Sequence, residues 1–125
     1  MSFTEANYEN AVLEVFCETL GYGYTYGPDV QRDYTEPLYL DELMPALQRI
    51  NPSLPEAAIN ESILKLRSLD SGTLVQKNRQ FTDFMQNGVS VNYYHNGEQL
   101  AGLVYLIDYA QPDKNTFTVA NQWMI

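Results

Sequence analysis

Glu5 and Glu9, set four residues apart where the chain opens, form the carboxylate pair whose spacing could do chemistry. On a helix this spacing puts both on one face near the N-terminus, where the helix dipole favours negative charge. Such a ridge can offer oxygen to a divalent cation, but a hard-cation site needs several oxygens from different elements. Solvation of a charged surface is the default reading of the pair. Asp108, which follows an apolar run, can cap a strand as readily as serve a site.

Other chemistries lack their residues. The run Gly21-Tyr22-Gly23-Tyr24-Thr25-Tyr26-Gly27 has neither the dinucleotide-fold nor the Walker spacing, so it reads as a helix stop followed by a strand. His95 is the sole histidine and precedes an Asn-Gly turn, and one histidine does not build a metal site. Cys17 has no histidine or basic neighbour in its segment and reads as an inert, partly buried residue. No serine has a Gly-x-Ser-x-Gly setting. Lys77 and Arg79, flanked by Gln76 and Asn78, are the densest cationic patch and could touch phosphates, although two charges are few for DNA binding.

The elements that would position these residues follow from periodicity. Thr4 can cap a helix over residues 5–20, with Tyr8, Ala11, Val12, Val15 and Phe16 as its apolar stripe, the glutamates off that stripe and Gly21 as its stop. Residues 22–26 alternate as a short strand. A second helical pattern from Leu38 carries Leu40, Leu43, Met44, Leu47 and Ile50, starting just before Pro45 or bending there and ending at Asn51-Pro52. Ser53-Leu54-Pro55-Glu56 reads as a capping box for a third helix with Ile59, Ile63 and Leu66 inward. A fourth helix spans residues 73–87 and stops at Gly88. The period then becomes two. Strands at 89–93 and 103–107 flank His95-Asn96-Gly97, a hairpin signal, and a last strand from Phe117 runs through Trp123 to Ile125, so an antiparallel meander is the simple outcome.

With 125 residues, 45% of them hydrophobic and 13% aromatic, the chain has the size and apolar content of one globular unit. A formal charge of −9 repels phosphate backbones unless the few cations share a face. That balance points to an acidic interaction module or DNA mimic, or to a portion of a protein whose basic surfaces lie elsewhere. One cysteine excludes an internal disulfide, and no export signal or bilayer-length apolar run is present, which fits a cytoplasmic setting without membrane contact. An apolar strand at the chain end leaves an uncovered sheet edge, and a longer parent domain explains it economically.

Phe3-Thr4-Glu5-Ala6-Asn7-Tyr8-Glu9 followed by Leu20-Gly21-Tyr22 resembles the opening of the restriction (R) subunits of type I restriction-modification enzymes. Gly27-Pro28-Asp29, Arg32-Asp33-Tyr34, Asn51-Pro52-Ser53-Leu54-Pro55, Asn78-Arg79-Gln80-Phe81, Asn87-Gly88-Val89, Leu106-Ile107-Asp108 and Val119-Ala120-Asn121-Gln122 are similar to successive landmarks of that region, in the same order. The resemblance implies that residues 1–125 are the N-terminal part of a restriction-endonuclease-like nuclease domain, ending before its Asp and Glu-x-Lys motifs. It implies a parent that translocates unmethylated DNA with ATP and cuts it with Mg2+, alongside methyltransferase and specificity subunits. ATP would belong to later domains. Glu9, with Glu5 second, is the position that would contribute to the metal, and no catalytic set is complete within these residues.

The fold expectation is therefore α+β: a first helix, a helical insert, then antiparallel strands. Three functions compete: the nuclease portion, a noncatalytic acidic interaction domain or DNA mimic, and a stand-alone magnesium enzyme using Glu5, Glu9 and Asp108.

Overall fold

The computed structural model describes residues 4–69 and 72–124. Phe3 of the opening motif and Ile125 of the expected last strand lie outside them. The chain is α+β, as its periodicities imply, but it forms two compact units where composition suggested one. The first combines residues up to Tyr39 with those from Thr116 onward, and the second spans Leu40–Asn115.

In the first unit, helix α1 (Glu5–Glu14) starts at Thr4, whose hydroxyl accepts from the Asn7 amide at 3.3 Å. It continues as a π-helical turn over Val15–Thr19, closed by Leu20 N to Val15 O at 3.0 Å, and Gly21 stops it with φ 74°. The expected stripe is not the inward one. Tyr8 and Val12 are 63% and 52% exposed, whereas Glu9, Leu13, Phe16 and Cys17 are half-buried. These four recur at four-, three- and one-residue steps, so the packed face is rotated toward Glu9 and shares only Phe16 with the apolar stripe. Periodicity found the helix but not its azimuth.

Strand β1 (Gly23–Tyr26) pairs in parallel with β4 (Thr118–Asn121), in the register Gly23 to Thr118 through Tyr26 to Asn121. The expected meander is thus not formed, because the last strand joins the earliest one rather than the hairpin. A parallel pair requires a long crossover connection, and here the entire second unit lies in that connection. The rings of Phe16, Tyr22 and Phe117 stack in sequence at centroid separations of 5.1 and 5.3 Å, joining the helix end to the strands.

In the second unit, α2 (Leu40–Ile50) runs through Pro45 rather than starting at it. Helix α3 (Glu56–Arg67) buries Ile59, Ile63 and Leu66, as its spacing implied, but its N-cap is Pro55 and no side chain caps it, so the Ser53 capping box is not made. The box forms instead at α4 (Leu74–Asn87), where Thr73 and Gln76 exchange bonds of 3.2 and 2.9 Å. The hairpin of β2 (Val89–His95) and β3 (Glu98–Val104) turns on Asn96 and Gly97, both at positive φ, as the right-handed strand twist favours. β3 lies earlier than expected, beginning at the turn and ending at Val104. Leu47, Ile59, Val89, Val91 and Val104 form the fully buried core of this unit.

Asn51 does more than end α2. Its side chain donates to Leu47 O and Tyr105 O and accepts from Tyr105 N, each at 2.9 Å, acting as a substitute strand partner just past β3.

Candidate functional site

Two side chains converge on Glu9, and a third orients one of them. Its Oε1 accepts from Asn121 Nδ2 and its Oε2 from Gln122 Nε2, the latter at 2.9 Å. The Tyr24 hydroxyl donates to Asn121 Oδ1 at 2.8 Å, which sets the amide so that its NH2 faces the glutamate. Tyr24 reaches it because Tyr24 pairs with Val119, and Asn121 lies two residues on, on the same sheet face.

Consecutive strand residues normally point to opposite faces. Asn121 and Gln122 both reach Glu9 because Gln122 adopts φ 53°, which ends β4 and turns the second amide back toward α1. Two features hold this turn. Gly27 approaches so closely that a Cβ there would lie 2.5 Å from Gln122 O and 2.7 Å from Asn121 O. Beyond the turn, the Arg32 guanidinium lies 3.9 Å over the Trp123 ring and 5.1 Å from that of Tyr34, and it donates to the carbonyls of Glu36, at 2.7 Å, and Met124. Trp123 Nε1 donates to Pro37 O at 3.0 Å, and its ring packs on Tyr39.

Glu5 stands one turn before Glu9, exposed, and both line an open groove of about 380 Å³ with Tyr8, Leu13 and Asn121. The structure therefore brings the two sequence-proposed carboxylates to one groove. It places Asp108 in the other unit, past the end of β3 at Val104, where its Oδ1 accepts from Ala110 N and Gln111 N at 3.0 and 2.8 Å and so holds a local turn rather than capping a strand. His95 is exposed at the hairpin end and Cys17 is half-buried in the π-helical turn. Lys77 and Arg79 lie on α4, but two residues turn a helix by about 200°, so they leave opposite sides and do not converge on one phosphate.

Glu9 and Glu5 suit a hard divalent cation in donor type, as the contribution of one helix. Among the described residues, no group of three or more His, Cys, Asp or Glu is placed to hold a metal by itself. Sequence reasoning missed Asn121 and Gln122 as partners of Glu9, and Tyr24 behind Asn121. The available signal was an Asn-Gln pair interrupting an otherwise apolar run from Phe117 to Met124.

No helix among the described residues is long and apolar enough to cross a membrane. The family described as the N terminus of the type I restriction enzyme R protein matches residues 2–125. The chain is 32% identical over 113 residues to the type I restriction enzyme HindI endonuclease subunit of Haemophilus influenzae, covering 84% of this chain and 11% of that protein. It is 30% identical over 123 residues to the putative type I restriction enzyme MjaIXP endonuclease subunit of Methanocaldococcus jannaschii, covering 94% of this chain and 12% of that protein. The chain thus spans only about an eighth or less of the length of these curated relatives. No solved structure matches it. The match over residues 2–125, with two type I restriction enzyme endonuclease subunits as relatives, establishes that the chain belongs to the family described as the N terminus of the type I restriction enzyme R protein.

Proposed function

We propose that residues 1–125 are the N-terminal part of the nuclease domain of a type I restriction R subunit, and that Glu9, with Glu5 second, helps to hold the Mg2+ used in DNA cleavage. The supporting observation is the Glu9 carboxylate, held at the end of β4 by two amides and facing an open groove. When bound, Mg2+ lowers the pKa of the attacking water and neutralises charge on the scissile phosphate. Glu9 would supply oxygen from α1, and an Asp and a Glu-x-Lys pair elsewhere in the parent protein would supply the remaining acidic groups and the lysine. The parent acts on unmethylated foreign DNA in the cytoplasm, with ATP-driven translocation in later domains and with methyltransferase and specificity subunits as partners.

The charge of −9 suits this division, because DNA grip then comes mainly from the translocase and the specificity subunit. Lys77 and Arg79 would add separate phosphate contacts when DNA is delivered.

The test is Glu9→Ala in the full-length R subunit, assembled with its partners. Cleavage should fall about 10- to 100-fold or more, while DNA-stimulated ATP hydrolysis is retained. Unchanged cleavage would defeat the assignment of Glu9. A gene continuing without Asp and Glu-x-Lys would defeat the nuclease reading. Displacement of DNA from a basic partner by this chain alone would favour the acidic-mimic alternative.

A further inference from the structure

A ligand carboxylate on an exposed helix face has free rotamers, and ordering them opposes binding. Glu9 differs, because each of its oxygens is bonded to the side-chain amide of one of two consecutive residues. The convergence needs Gln122 in the left-handed region, a conformation that is uncommon outside glycine and that persists only when its surroundings hold it. Those surroundings are present, in the close approach of Gly27 and the stacking of Arg32 on Trp123. Asn121 is held in turn by Tyr24. An ionised carboxylate has about four acceptor positions, so two amide bonds leave about two for a ligand on the groove side.

We propose that Asn121 and Gln122, with Tyr24 behind Asn121, are positioning residues that fix the Glu9 carboxylate for cation binding. The proposal rests on the reading of Glu9 as a cation ligand. It adds that the strand end after Ala120 decides the direction in which that carboxylate points. Outer-shell partners of metal-binding carboxylates commonly change metal affinity by about 10- to 100-fold when removed.

The experiment measures Mn2+ binding by calorimetry on the full-length polypeptide without nucleotide, together with the thermal midpoint. Gln122→Met keeps side-chain length and removes the donor. Tyr24→Phe removes only the hydroxyl that orients Asn121, at a position about half exposed, and therefore spares the packing. Glu9→Ala defines loss of the ligand. Gln122→Met should weaken Mn2+ about tenfold and Tyr24→Phe by a few-fold, both with thermal midpoints close to the parent's. The double variant Glu9→Ala with Gln122→Met should bind no more weakly than Glu9→Ala alone. Parent-like affinity in Gln122→Met and Tyr24→Phe, with weakened affinity in Glu9→Ala, overturns the positioning role and leaves the proposed function standing. Affinity losses that only track falling thermal midpoints also overturn it, as does unchanged affinity in Glu9→Ala, which removes both readings.

Discussion

Gly27→Ala tests whether the strand end is held from behind. An added Cβ would meet Gln122 O at 2.5 Å, Asn121 O at 2.7 Å and the Gln122 carbonyl carbon at 2.8 Å. All three atoms are backbone, so no rotamer change relieves the clash, and β4 must retreat by roughly 1 Å to reach ordinary contact. Overpacking of this kind costs about 1–3 kcal/mol. Gly27 is not at positive φ, so alanine also restricts the unfolded chain and returns about 0.4–1 kcal/mol. Mid-range values leave a net loss of about 1.3 kcal/mol, a fall in thermal midpoint of roughly 4–6 °C. Because the displaced carbonyls belong to the residues that hold Glu9, Mn2+ affinity should fall as well. Thermal unfolding by circular dichroism reads the first effect and calorimetry the second. A midpoint equal to or above that of the parent would refute the close-approach argument. Gly97→Ala is the control: nothing lies within 4 Å of its added Cβ, and its φ of 79° confines the cost to the backbone, about 1–2 kcal/mol.

Asn51→Ala removes three hydrogen bonds at a residue only 5% exposed and strands both backbone groups of Tyr105, so urea unfolding should show a loss of about 2–4 kcal/mol, and a loss well under 1 would discount the strand-substitute role. Thr73→Ala opens the capping box and should cost about 1 kcal/mol in the same assay, with no loss if α4 is held elsewhere. The Thr35 backbone amide, then the Thr35 side chain and nearby Arg32, hold the Asp33 carboxyl below its usual 3.8. Its stabilisation is therefore present above that value and lost as pH falls through the lower folded value, and Asp33→Asn should remove this part of the acid dependence. An NMR titration of Asp33 at or above the ordinary carboxylate value would contradict it.

Local signals were legible wherever the deciding interaction lies within a few residues. Thr4, Gly21, Asn96-Gly97 and Gly88 mark the ends of elements because capping and positive φ are properties of single turns. The inward stripe of α3 was readable because a helix buried on one side must place apolar groups there. Cap signals were less dependable: the box expected at Ser53-Leu54-Pro55-Glu56 is not made, whereas Thr73 and Gln76, where none was expected, close one.

The amino-acid sequence by itself determined the α+β content, most helix ends, the hairpin turn, the acidic character and the candidate pair Glu5 and Glu9, since each depends on residue type and short spacing. Only the tertiary structure decided that β4 runs parallel to β1, that α1 turns Glu9 rather than Tyr8 inward, and that Asn121 and Gln122 grip its carboxylate. The physical reason is sequence distance. The contacts join residues about a hundred positions apart, where periodicity carries no information and closing so long a connection has an entropy cost that no local pattern records.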